Sequence, residues 1–127
     1  MSEPIAFISH FRVREGAAEP LRRLSAQIVA ELEAQKPQTL VFLSYLDDER
    51  GQVSFVHVFG DAEAMNRHLE GADERSASAY ELIEPLGWEI YGRPSDSALN
   101  SMRAAAQSTG VSLTLQPIFA GGFVRLS

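Results

Sequence analysis

The sequence predicts an α+β fold, an antiparallel sheet with helices on one face, and three observations lead to it. Residues 39–46 (TLVFLSYL) and 52–59 (QVSFVHVF) alternate with the period of strands, rich in branched and aromatic side chains, and the short Asp-Asp-Glu-Arg-Gly link makes them antiparallel neighbours. Leu21, Leu24, Ile28 and Leu32 recur at three- and four-residue spacing, the apolar stripe of a helix. Along the chain, segments of the two kinds follow one another as strand, helix, strand, strand, helix, strand.

Ile5 to Val13 reads as the first strand. Ile5, Phe7, Ser9, Phe11 and Val13 share the face expected to meet helices; Ala6, Ile8, His10 and Arg12 share the other, apolar at its start and polar at its end. Such a second face suits the rim of a pocket or a subunit interface. Glu15-Gly16 punctuates the chain before a helix from about Ala17 to Ala34, in which Pro20 is tolerable because it lies in the opening turn. Lys36-Pro37 stops that helix.

In the hairpin, Val41, Leu43 and Tyr45 alternate with Leu40, Phe42 and Leu46, so Thr39 to Leu46 is apolar on both faces and should be covered twice. In a small chain the second cover comes more easily from another subunit, which predicts a homodimer. Val53, Phe55, His57 and Phe59 share one face of the next strand, and Ser54, Val56 and Val58 the other. Asp61 is a good N-cap for a helix that turns Ala62, Met65 and Leu69 inward, with Glu63 favourable in its first turn. Gly71 interrupts it. A further helical stretch is expected from Asp73 to Glu84, closed by Pro85, with Ala72, Ala79, Leu82 and Ile83 inward. Leu86 to Tyr91 reads as the fourth strand, with Leu86, Trp88 and Ile90 on one face and Glu89 and Tyr91 on the other.

The resulting β-α-β-β-α-β order is the ferredoxin-like split βαβ arrangement. After the hinge Gly92-Arg93-Pro94-Ser95, Ser95 caps a helix of about Asp96 to Ser108 that Gly110 ends. Val111 to Leu126 then adds an extra strand at the sheet edge of its own subunit, the alternative being a crossing to a partner. The chain is thus expected to be a single domain over residues 1–127, with a ferredoxin-like core at 5–91 and a C-terminal helix-strand extension at 92–127.

Composition excludes several functions. The chain has 127 residues, 45% of them hydrophobic, enough for one domain with a real core. Seventeen acidic residues against eleven basic ones give a net charge of -6, and Lys36 is the only lysine, so no nucleic-acid partner is expected. Absence of cysteine removes disulfides, thiolate catalysis and thiolate metal sites. No apolar run reaches about 18 residues and MSEPIAF lacks a basic start, so a cytoplasmic, soluble protein without a membrane partner is expected.

The element order, the Gly16 helix entry, the hairpin, and Asp61 followed by Ala64 and His68-Leu69 together resemble the antibiotic biosynthesis monooxygenase (ABM) family of dimeric α+β barrel proteins. The resemblance covers roughly Ile5 to Tyr91, and Tyr45-Leu46-Asp47-Asp48-Glu49 resembles the family's hairpin turn. It implies a homodimer whose sheets pack on each other. It also implies an activity among cofactor-independent oxygenases of quinols and polyketide aromatics, haem-degrading enzymes, and members without an assigned role. Where the family often carries Glu-x-Trp late in the third strand, this chain has His57-Val58-Phe59, so a function tied to that Glu and Trp is not implied. The haem-degrading branch uses an Asn, a Trp and a His whose positions fall at Ser9, His68 and near Ser78, and none is retained.

The candidate catalytic residues are His57, His10 and His68, each with a plain structural alternative. His57 could accept a proton from, or orient, a phenol or quinol in a pocket lined by Phe55, Phe59 and Trp88; otherwise it is a core or interface histidine satisfied by one hydrogen bond. His10 could hold an anionic substrate oxygen together with Arg12, or form a rim pair. His68 could enter the cleft between helix and sheet, or pack at the helix end. Tyr45 and Tyr91, like Tyr80, could supply a ring or a hydroxyl to a substrate, or simply pack. His10, His57 and His68 could converge as a facial set with Glu63 or Glu89 nearby, but none has metal-ligand spacing, and Gly121-Gly122 lacks the Lys-Ser/Thr of a phosphate loop; no metal and no cofactor are expected. Three functions follow: a cofactor-independent oxygenase of a small aromatic or quinol, a non-catalytic binder of such a ligand, and a structural or stress-related dimer.

Overall fold

In the computed structural model, which describes residues 3–125, the chain runs through β1 Ile5–Val13, α1 Ala18–Gln35, β2 Thr39–Asp47, β3 Gln52–Phe59, α2 Ala62–Leu69, α3 Ala72–Ala77, β4 Ile83–Tyr91, α4 Asp96–Thr109 and β5 Ser112–Gln116. The strands form one sheet in the order β2-β3-β1-β4-β5. The first four are antiparallel, in ferredoxin-like order, while β5 joins β4 in parallel, so the sheet is mixed. The extra edge strand therefore forms within its own subunit, over Ser112–Gln116. Residues 117–125 lie outside any strand, and Leu126 lies outside the described residues.

The register decides which side chains share a face. Ile5, Phe7, Ser9 and Phe11 stand opposite Phe59, His57, Phe55 and Val53 on one side, and Phe7 and Ser9 stand opposite Ile90 and Trp88 on the other. This is the face the helices cover. Ile5, Phe59, Met65 and Ile90 are fully buried there, each worth about 1.5–3 kcal/mol in area removed from water. A second cluster, Phe11, Leu21, Val53, Ala79 and Ile83, anchors α1 and the turn before β4. Asp61 caps α2 through Ala64 N at 2.8 Å, and Ser95 caps α4 through Ala98 N at 3.2 Å while donating to Asn66 Oδ1 at 2.8 Å.

Three expectations are corrected between Asp73 and Leu86. The helix expected from Asp73 to Glu84 ends as α3 at Ala77; a 3₁₀ turn at Ala79–Glu81 follows, and Ile83 already pairs with Val13. Pro85 lies inside the strand, not at a helix end. It is accommodated beside a β-bulge, where the register shifts between His10 and Phe11. Leu86 is the extra residue of that bulge and is exposed, so it does not share the buried face of Trp88 and Ile90.

The opposite face of the sheet carries Ala6 and Ile8, Val56 and Val58, and Val41, Leu43 and Tyr45 in adjacent strands. Leu43 and Tyr45 are exposed on it. No helix among the described residues is long and apolar enough to cross a membrane.

Candidate functional site

A cleft of about 870 Å3 opens between the helix-covered face of the sheet and the helices above it. Its floor is aromatic: Phe7 and Phe11 from β1, Phe42 from β2, Phe55 from β3 and Trp88 from β4, with Ser9 among them. Period-2 alternation brings these rings to one face, and the antiparallel register aligns them. The walls come from Ile28 and Leu32 of α1, His68 of α2, Arg75 of α3, and Ala98, Met102 and Ala105 of α4. The C-terminal extension is thus part of the site. A volume of this size, largely apolar with few polar groups, suits a small organic ligand.

His57 and His68 enter the cleft together, with ring centroids 5.0 Å apart and ring planes near perpendicular. His57 stacks on Phe7 at 4.8 Å and meets Phe42 edge-on at 5.0 Å. Its Nδ1–H donates to the Phe7 carbonyl oxygen at 3.0 Å. That bond requires the Nδ1–H tautomer and leaves the lone pair on Nε2. His68 Nδ1 is 2.8 Å from the Thr39 hydroxyl. Neither Nε2 has a hydrogen-bond partner among the described residues, yet no buried polar side-chain atom there is left unsatisfied. Both Nε2 atoms therefore keep contact with the open cleft.

Electrostatics keep both rings neutral near neutral pH. Burial lowers the His57 pKa to about 4, opposed by its bond to Phe7 and assisted by the Arg75 charge. Burial also lowers His68 to about 3, with the nearby His57, Arg75 and Lys36 acting in the same direction. Arg75 and Lys36 sit at the end of α2, where Arg75 donates to the carbonyls of His68 and Glu70 and Lys36 to those of Arg67 and Glu70. These cations satisfy the last carbonyls of the helix and fix His68.

The structure brings His57, His68, Phe55 and Trp88 to one cleft, with Phe59 fully buried behind the two imidazoles. It does not bring His10, Arg12, Tyr45 or Tyr91 there: all four belong to the opposite face. His10 Nδ1 is 2.8 Å from Ser54 Oγ, and its Nε2 meets the Glu89 carboxylate, which also accepts from the Tyr91 hydroxyl. Tyr91 first and His10 second hold the Glu89 pKa below the usual carboxylate range, and Glu89 raises that of Tyr91. Arg12 is paired with Glu84. Among the described residues no group of three or more His, Cys, Asp or Glu is placed to hold a metal. Arg75 and Phe42 are not among the site residues that the sequence points to, and Ser9 enters there only as the position of the haem-degrading branch's Asn. Arg75 sits in a stretch whose pattern predicts only a helix, and nothing in that pattern says which of its polar residues turns inward.

No protein-family model and no curated protein matches the chain. Solved structures do. MupZ from Pseudomonas fluorescens superposes with a TM-score of 0.74 at 17% identity, over 98% of this chain and 96% of that one. A Caulobacter crescentus protein assigned provisionally as an antibiotic biosynthesis monooxygenase gives 0.62 at 16%, over 70% of this chain and 88% of that one. SnoaB from Streptomyces nogalater, a cofactor-independent oxygenase, gives 0.60 at 18%, over 74% and 96%. At these identities the likeness is one of fold alone, the ferredoxin-like sheet with helices on one face.

Proposed function

We propose that this chain is a cofactor-independent, monooxygenase-like enzyme that binds a small aromatic, quinol-type substrate in the helix-sheet cleft. The observation that carries the reading is the lone pair of His57 Nε2, held by the Phe7 bond and facing a cavity walled by aromatic rings. A quinol stacked there would donate a hydroxyl hydrogen bond to that nitrogen. A base with a pKa of about 4 is weak in the empty site, but a phenolate forming beside it would stabilise the imidazolium and raise that value. The ring anion transfers an electron to dioxygen and the resulting pair joins at a ring carbon that bears a hydrogen; the peroxide takes back the proton held by His57, and loss of water with that carbon's hydrogen leaves a carbonyl and a neutral imidazole. His68 orients the substrate, Phe55 and Trp88 pack it, and Phe59 backs the two imidazoles. The likeness to SnoaB supports the oxygenase class.

The functional unit in this reading is a homodimer. A second copy would cover Ile8, Val41, Leu43, Val56 and Val58 and close the two sheets into a barrel, with His10, Arg12, Tyr45 and Tyr91 belonging to that interface. The depressed basicity of both cleft histidines favours a second reading, a ligand-binding protein without catalysis. Oxygen consumption with a panel of quinols separates the two. Uptake that depends on His57 supports the enzyme; tight binding of quinols without uptake supports the binder.

A further inference from the structure

We infer that the aromatic ligand carries a carboxylate and that Arg75 holds it, an inference that rests on the reading of the cleft as a small-molecule site. Arg75 is the one permanent cation among the described residues lining the cleft. Its guanidinium donates to two backbone carbonyls, His68 and Glu70, leaving three of five N–H groups without a partner among the described residues. Among the described residues no carboxylate lies within 4.0 Å of its nitrogens; Arg23, Arg93, Arg103 and Arg125 also lack such a partner there, but of these arginines only Arg75 lines the cleft.

Gly71 has φ +76°, a backbone conformation that strains any other residue, and it makes the turn that carries the chain from α2 into the helix of Arg75. The two carbonyl bonds fix the guanidinium plane, and a fixed planar fork recognises a carboxylate by paired N–H···O bonds. Glu70, Asp73 and Glu74 also line the cleft, but they are exposed and solvated where Arg75 is half-buried. Glu31 faces Arg75 across a polar notch without pairing with it. The acids slow the approach of an anion through a screened field, whereas contact with Arg75 is short-range.

Calorimetry with the intact protein at pH 7.5, titrating 2-naphthoate and 2-naphthol, tests this. The wild type should bind 2-naphthoate about tenfold or more tightly than 2-naphthol. Arg75→Gln should lower naphthoate affinity toward that for naphthol, and Arg75→Lys should retain part of the preference. Circular dichroism melts report whether each variant is folded; if Arg75→Gln is not, the wild-type ligand pair and Arg75→Lys carry the test. Equal affinity of the wild type for both compounds overturns the carboxylate inference and leaves the cleft reading standing. Failure of both compounds to bind overturns the two together.

Discussion

His57 and His68 stand edge to face, 5.0 Å apart, one rising from a strand and the other descending from a helix. Each commits Nδ1 to a protein oxygen and leaves Nε2 to the cleft. Both rings are neutral at neutral pH because burial disfavours the charged form.

That neutrality predicts acid sensitivity. The folded pKa values of about 4 and about 3 lie below the unfolded value of 6.5, so the unfolded chain binds more protons than the folded one as pH falls below 6.5. The contribution of these groups is fully present above pH 6.5 and is lost as pH falls toward the folded values. Thermal melts from pH 8 to pH 5 should show a falling melting temperature below about 6.5. His57→Phe, which keeps a ring between Phe7 and Phe59 but cannot titrate, should flatten that slope. A flat wild-type profile would contradict the assignment.

Gly92 has φ +111°, and a Cβ there would lie 2.9 Å from the Pro4 carbonyl oxygen. Gly92→Ala should destabilise the fold by about 1–3 kcal/mol, combining backbone strain with a clash against main chain. Gly110 has φ +72° with nothing within 4 Å, so Gly110→Ala should cost only about 1 kcal/mol. Denaturant midpoints measured side by side check the order of the two.

Ser95 joins two walls of the cleft, capping α4 and donating to Asn66 on α2. Ser95→Ala should lower stability by about 1–2 kcal/mol in denaturant unfolding. An unchanged midpoint would mean that the α2–α4 contact adds nothing.

Much of the fold is legible in the sequence because the strands alternate cleanly and the helices begin and end on strong signals: Asp61 and Ser95 cap as expected, and Gly110 ends α4 in the left-handed region. The segment from Asp73 to Leu86 is not legible. Its apolar residues fit a helix, and Pro85 reads as a helix stop until the bulge shows how a strand accommodates it. For the site, face parity already separates His10 from Phe7 within the first strand. That Phe7 shares its face with His57 depends on the β1–β3 register, which sequence does not set. Arg75 escapes notice because α3 is short and its inward residue is chosen by the Gly71 turn and the carbonyls ending α2.

The uncovered sheet face makes oligomeric state a direct prediction. Sedimentation at micromolar concentration should show a particle twice the 14.0 kDa chain mass. Leu43→Asp, placing a charge on the exposed apolar face, should shift it to the monomer while α-helical content is kept. A wild type that sediments only as a monomer would contradict the covered face.

The central claim, oxygen chemistry at the His57 lone pair, is tested most directly by an oxygen electrode. Wild-type protein should consume dioxygen with at least one quinol of a naphthalene or anthracene panel above the uncatalysed rate, and His57→Ala should slow that uptake by about 100-fold or more. Uptake by the wild type no faster than buffer across the panel, or uptake unchanged in His57→Ala, would contradict the account.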